Sequence, residues 1–322
     1  MSDNSLSADK SSLQKPHKII RIGTRDSELA LWQANTVASK LNALGYATEI
    51  VSVKSTGDII LDKPLYELGI TGIFTKTLDI AMIQGEVDIA VHSMKDVPTA
   101  LPRGIVEAAV LERANVYDLL VHKGQLDFLN HQGVIATGSL RRKAQWLHRY
   151  PNHQVVDLRG NVNTRMQKLH DNPWDGAIFA QAGLERINLK PDTVEVLDWM
   201  VPAPAQGAMM VVAMEHDEFS RTALSHLNHP PTQLATHIER QFLKTLEGGC
   251  TAPIGALAVI HENELHFSGA LFSLDGKQSV SMERVVSLET VSGIGEQFAI
   301  ELLDQGGAEI MTALRQQLSP NQ

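Results

Sequence analysis

Three times in the middle of the chain a short apolar strand runs straight into a helix, and this succession constrains the fold more than any other feature. VIAT (134–137) passes into SLRRKAQWLHRY, VVDL (155–158) into RGNVNTRMQKLH, and AIFA (177–180) into QAGLERI. Strands that alternate with helices predict parallel α/β units joined by right-handed crossovers. The same rhythm opens near Lys18. KIIRIG reads as a strand, Asp26 or Ser27 can cap the segment after it, and Ala30, Ala34, Val37, Leu41 and Leu44 recur there at helical spacing. EIVSV (49–53), VDIAV (87–91), IVEAAV and YDLLV read as further strands, and Phe74 to Ile83 as a helix.

The intervening run KSTGDIILDKPLYELGITG (54–72) mixes Gly, Pro and polar residues and is expected to be a mobile loop. VPAPAQGA (201–208) reads as an interdomain segment, and MMVVAM behind it as a strand returning to the first sheet. From residue 231 the pattern changes. A helix (232–246) ends at Gly248-Gly249, three strand-like runs come next (253–260, 264–272, 279–287), and then a helix near 293–305. The fold class expected is therefore α/β, with two α/β domains and a small C-terminal α+β domain. The expected boundaries are 18–112 with 208–228, then 113–203, then 231–318, and residues 1–17 are read as a disordered tail.

At 322 residues the chain exceeds one ordinary domain, and 43% apolar residues suffice for cores without disulfide or metal staples. A net charge of −9 argues against a general nucleic-acid binder, and no run approaches the ~18 apolar residues of a membrane span. The polar N-terminus lacks the apolar region of a secretory signal, and the single cysteine forbids an intrachain disulfide. A cytoplasmic protein is expected.

Arg25, Arg141, Arg142, Arg159, Arg165 and Arg186 all fall at or after strand-to-helix transitions. One such arginine reads as solvated surface charge. Several at one topological position, where open α/β sheets bind ligands and helix N-termini favour anions, point to a polyanionic small ligand. HSMKDVP (92–98) comes directly after a buried strand. Its Lys95-Asp96 pair reads either as a solvated turn or as working chemistry, and His92 equally as a satisfied core residue. Cys250 sits in EGGCTAPIG, a loop of small residues where packing alone is a less natural role. The 13 histidines show no zinc spacing, and neither GxSxG, a P-loop nor GxGxxG after a strand occurs.

Over residues 18 to 315 the chain resembles the porphobilinogen deaminase (hydroxymethylbilane synthase) family. The matching segments are RIGTRDSELALWQA (21–34), FTK (74–76), DIAVHSMKDVP (88–98), SLRRKAQ (139–145), LRGNVNTR (158–165), AGLERI (182–187), QGA (206–208) and EGGCTAPIGA (247–256). HSMKDVP and the cysteine loop are long and unusual together. The resemblance implies two periplasmic-binding-protein-like α/β domains flanking a cleft, and a third domain carrying a dipyrromethane cofactor in thioether linkage to Cys250. It implies a transferase that adds four porphobilinogen molecules head to tail, releases ammonia at each addition, and finally frees hydroxymethylbilane for tetrapyrrole (haem) synthesis. By the same resemblance, Ser93, Lys95, Ser139, Arg141, Arg142 and Arg165 cradle the cofactor. Arg25, Ser27, Arg159 and Arg186 take substrate and growing-chain carboxylates, and Asp96 is the catalytic carboxylate. Porphobilinogen and the growing polypyrrole are the implied partners, no metal, nucleic acid or membrane is implied, and a monomer is expected.

Four positions depart from the family pattern. Thr71 stands where the lid loop usually has Lys, Thr77 where an acid comes after FxK, Gly138 where the first of two serines precedes LRR, and Ala205 where Gly precedes QGA. They leave the cofactor residues intact but bear on turnover. The rival readings are a degenerate member with little turnover, a clamshell binding protein for a carboxylated ligand, and a regulator's effector domain. The Cys-bearing third domain counts against the binding protein. A strand where a DNA-binding helix pair would stand counts against the regulator.

Overall fold

The computed structural model describes residues 18–54, 72, 74–246 and 252–318. The expected tail, nearly all of the expected 54–72 loop, the Gly248-Gly249 turn and Cys250 lie outside the described residues.

The first unit runs β1 (Ile20–Thr24), α1 (Glu28–Ala43), β2 (Thr48–Ser52), α2 (Lys76–Ile83), β3 (Ile89–Ser93) and β4 (Ile105–Val110). The second runs β5 (Asp118–His122), β6 (Val134–Ala136), α3 (Leu140–Arg149), β7 (Gln154–Val156), α4 (Val162–Asp171), β8 (Gly176–Ala180), α5 (Gln181–Arg186) and β9 (Val194–Leu197). The chain then re-enters the first sheet as β10 (Met209–Met214), continues through α6 (Glu218–Ser225), and reaches the third unit. That unit holds α7 (Pro230–Thr245), β11 (Ile254–His261), β12 (Glu264–Phe272), β13 (Ser279–Ser287), α8 (Ile294–Leu302) and α9 (Ala308–Leu318).

The two large sheets share one topology. Their strand orders are β2-β1-β3-β10-β4 and β7-β6-β8-β5-β9. In each, the first three strands pair in parallel, and the fourth place goes to the strand that enters from the other unit. That crossing strand, β10 or β5, is antiparallel to both neighbours. This is the periplasmic-binding-protein-like arrangement. Each unit is thereby stitched into its partner through a central strand, and MMVVAM shows why the crossing is firm. Met209, Val211 and Ala213 pack with α1 residues on one face, while Met210 and Val212 pack with α2 residues on the other. A fully buried Val or Met side chain contributes about 1.5–3 kcal/mol. A charge at Val211 would be buried without a partner.

The third unit is an antiparallel sheet, β11-β12-β13, covered by α7 and α8 around Phe242, Phe267 and Phe298. It touches both other units. Arg113, just past β4, makes a two-pronged ion pair with the fully buried Glu239 of α7 (2.6 and 3.0 Å), and Glu239 also accepts from the backbone N–H groups of Ala205 and Ala258. On the other side the β12–β13 turn lies on α3. Gly276 there has φ +72°, and a Cβ would stand 2.5 Å from the Ala144 carbonyl oxygen, so only glycine permits this approach.

Two elements differ from expectation. Leu44 is half exposed at the C-cap of α1 rather than on its buried face. The helix expected near 293–305 ends at Leu302, and a kink at Gly306 (φ 106°) leads into α9, which extends to Leu318.

Candidate active site

A cleft of about 520 Å³, open to solvent, lies between the two large sheets at the carboxyl ends of β3 and β8. Its walls include Leu29, Ser93, Lys95, Arg142, Arg165, Phe179, Ala180, Gly183, Arg186 and Gly207. Of the residues singled out in the sequence, the structure therefore brings Ser93, Lys95, Arg142, Arg165 and Arg186 onto one cavity. The local causes are visible. β3 is a buried run that delivers Ser93 at its end, and the one-turn helix Met94–Asp96 directly after it places Lys95 on the cleft, with Asp96 next in the chain though not among the lining residues.

Ser27 and Ser139 are N-caps, their hydroxyls accepting from the backbone N–H groups of Ala30 and Arg142 at 3.4 Å. They start α1 and α3 at the cleft. The Arg25 guanidinium lies 4.4 Å from the centre of the Phe74 ring, and Arg159 is almost wholly buried behind the N-terminus of α4. Arg186 closes the six-residue α5 rather than opening it. It donates to the Gly207 carbonyl (2.7 Å) and lies over Trp32. Arg165 donates to the Gly160 carbonyl (2.7 Å).

Beneath the cleft is a residue that sequence reasoning missed. Asp118, at the start of β5, is fully buried. Its Oδ1 accepts from Nε and Nη2 of Arg142 (3.0 and 2.8 Å), and its Oδ2 lies 2.8 Å from Nη2 of Arg141. The Gln206 amide donates to the same Oδ1 (2.9 Å) and to the Val116 carbonyl, while its oxygen accepts from Nζ of Lys95 (3.2 Å). One buried anion thus organises two arginines and, through Gln206, a lysine from the opposite unit.

The electrostatics derive from this packing. Burial alone would raise Asp118, but the guanidinium groups of Arg141 and Arg142 hold it far below the usual carboxylate range. Burial, with Arg142 adjacent, pushes Lys95 down to about 8, and burial pushes Arg165 and Arg186 down to about 10. Asp96 opposes the first two shifts, so its charge faces both Lys95 and Arg165. His92 is buried and held neutral, pushed down to about 4 by burial and then by Arg25.

Lys95 therefore makes binding pH-dependent. The ammonium persists below about pH 8 and is lost above it, so carboxylate affinity should fall as pH rises through 8. Affinity of the ligand-free protein for a polycarboxylate ligand should fall there in wild type and stay flat in Lys95→Arg, measured by calorimetry from pH 7 to 9. The unfolded amine stays protonated to about 10.4. Between about pH 8 and 10.4 the folded state binds fewer protons than the unfolded chain, so the cost of burying this group is relieved as pH rises and the lost affinity is not unfolding. An affinity of the ligand-free wild type that does not change across pH 8 would remove Lys95 from the carboxylate contacts.

Two departures from the family pattern acquire a physical reading. Ala205 is fully buried at φ +62°, a left-handed conformation that costs an L-residue about 1–2 kcal/mol and that glycine adopts freely. At Gly138 a Cβ would stand 2.6 Å from the Leu158 carbonyl oxygen, so a serine would require the α3 entry to shift. Thr77 lies in α2, and Thr71 is outside the described residues. Among the described residues no group of three or more His, Cys, Asp or Glu could hold a metal ion, and no helix is long and apolar enough to cross a membrane.

Two family models match the chain: the dipyromethane cofactor binding domain of porphobilinogen deaminase over residues 20–222, and the C-terminal domain of porphobilinogen deaminase over 233–304. Porphobilinogen deaminase of Chloroherpeton thalassium is 40% identical, the match covering 92% of this chain and 98% of that protein. That of Syntrophomonas wolfei is 42% identical over 92% and 99%, and a probable porphobilinogen deaminase of Methanocaldococcus jannaschii is 42% identical over 88% and 99%. Among solved structures, a periplasmic substrate-binding protein of an ABC transporter from Coxiella burnetii is 16% identical. It covers 69% of this chain and 96% of its own, with a TM-score of 0.41. The fold assignment rests on the strand orders above rather than on that likeness.

Proposed function

The chain belongs to the porphobilinogen deaminase family, and from that premise we propose the roles by which its residues carry out the reaction. It is a hydroxymethylbilane synthase, a transferase of tetrapyrrole biosynthesis that uses a covalently held dipyrromethane cofactor. The substrate is porphobilinogen, four of which are condensed head to tail with loss of ammonia before hydroxymethylbilane is released.

The observation that carries the assignment of the site is the convergence of Ser93, Lys95, Arg142, Arg165 and Arg186 on one cleft of a net-acidic protein. Each ring of a dipyrromethane bears an acetate and a propionate, and this donor set suits such a polycarboxylate. Nε of Arg141 is buried with no hydrogen-bond partner among the described residues, a second sign that cationic donors exceed the acids supplied by the protein. The residues present fit the group. When bound it supplies the primer on which the chain is extended.

Arg142, Arg165, Lys95 and Ser93 hold the cofactor carboxylates, with Arg141 and Ser139 beside them. Gln33 donates to the Ser93 hydroxyl oxygen (2.9 Å), which leaves the hydroxyl hydrogen free to point at an anion. Cys250, the sole cysteine, is the anchor. Arg25, Ser27, Arg159 and Arg186 bind the carboxylates of the incoming substrate and of the growing chain. Asp96 stabilises the positive charge that develops on the substrate pyrrole as ammonia departs, and assists proton movement as the new carbon–carbon bond forms. The segments 18–112 with 208–228, 113–203 and 231–318 act as three units. The protein works as a cytoplasmic monomer without membrane or nucleic-acid partners; its net charge of −9 supports the lack of a nucleic-acid partner.

Intact mass tests this reading. Protein purified from cells competent in tetrapyrrole synthesis should carry the additional mass of two linked pyrroles, and Cys250→Ala should carry none. A wild-type mass equal to the bare polypeptide would refute the assignment of the anchor and the site together.

A further inference from the structure

No side chain among the described residues hydrogen-bonds the Asp96 carboxylate, so its aim depends on the backbone turn that carries it. That turn has a partner outside the cleft. Arg240 of α7 donates from Nη1 to the Val97 carbonyl (2.8 Å) and from Nη2 to the Pro98 carbonyl (2.6 Å), with the Met94 carbonyl 3.4 Å from Nη1. Of these oxygens, that of Val97 belongs to the C-cap of the Met94–Asp96 helical turn and that of Pro98 to the residue after it. The turn is otherwise fixed by Met94 N–H to the Ala208 carbonyl and Val97 N–H to the Met94 carbonyl. Pro98 has no N–H to offer. A planar fork can span two carbonyls; an ammonium can meet only one of them well.

The position of Arg240 in the chain gives the contact meaning. It lies five residues, about one and a half turns, before the end of α7, and Cys250 stands five residues beyond that end. Arg240 therefore ties the turn bearing Asp96, in the first unit, to the helix that leads to the cofactor cysteine, in the third.

We propose that Arg240 is a positioning residue for ammonia release, fixing Asp96 relative to the helix that leads to the cofactor anchor. The proposal rests on the reading of Asp96 given above. Arg240→Met keeps length and apolar packing but removes the fork. It should load cofactor normally by intact mass and keep KM within about twofold. Single-turnover ammonia release should fall by one to two orders of magnitude, roughly the cost of an ångström-scale misplacement. Arg240→Lys should recover part of the loss.

The first of the next two results separates a local effect from a loss of global stability, and the second is one that a merely structural role would not yield. Hydrogen exchange in the 92–100 peptide should quicken in Arg240→Met while peptides of α7 stay protected. Arg240→Met combined with Asp96→Asn should be no slower than Asp96→Asn alone, because a positioning residue has nothing left to position. Additive losses, or full-rate release by Arg240→Met, would overturn the proposal while leaving Asp96 in place. Wild-type release by Asp96→Asn would overturn the reading of Asp96, and this proposal with it. If Arg240→Met does not fold, the Arg240→Lys single and double variants carry the same comparison.

Discussion

Asp96→Asn should yield protein that loads cofactor and binds porphobilinogen yet releases ammonia at least about 10²-fold more slowly in a single turnover, the scale of removing one preorganised electrostatic group. Asparagine keeps the shape and a hydrogen-bond acceptor, so what is lost is the charge. The carboxylate sits on a one-turn helix at the end of a buried strand, with Lys95 beside it and Arg165 within its field. In the proposed roles those cations serve the carboxylates of the ligand. A positive charge developing on a pyrrole ring in the same cleft would be repelled by them unless an anion stood close by. Asp96→Glu keeps that anion at a shifted position and should be faster than Asp96→Asn. Near wild-type ammonia release by Asp96→Asn would make Asp96 structural and assign the cation to another group.

Much of this arrangement is legible before folding, for physical reasons that differ by residue. The strand-into-helix runs locate the cleft because parallel sheets present ligand sites at strand carboxyl ends, and the arginines cluster at those ends. Ser27, one of two cap candidates with Asp26, is recognisable from its place before helical periodicity. Asp118 is not legible. An acid at the head of an apolar run reads as a strand boundary, and its partners Arg141, Arg142 and Gln206 lie 23 to 88 residues away in sequence, joined to it only by the crossing of β5. Arg240 is hidden for a similar reason, since one cation on an amphipathic helix looks like any solvated face. β9 escapes because VEVL is an edge strand with two exposed residues. The extent of α9 is masked by Gly306-Gly307, which reads as a stop where the chain only kinks.

Asp118→Asn should be the most damaging substitution to the protein without cofactor. It would leave the guanidinium groups of Arg141 and Arg142, both more than nine-tenths buried, adjacent to each other with no anion between them. Breaking a buried ion pair by deleting one partner costs about 3–5 kcal/mol. The sign is set by the depressed Asp118 carboxyl. Its contribution is complete above the unfolded carboxylate pKa of about 3.9 and is lost only as pH falls toward the folded value, so at pH 7 the variant should show the full deficit. In the proposed roles the carboxylates of a bound cofactor meet the same cations, and they should then return part of what Asp118 supplied. Denaturant unfolding of the cofactor-free and cofactor-loaded forms should therefore show a wide gap between wild type and Asp118→Asn in the first and a narrower gap in the second. Equal stability of the two cofactor-free proteins would mean that the arginines are held by something other than Asp118. An equal gap in both forms would mean that the cofactor carboxylates do not reach Arg141 and Arg142.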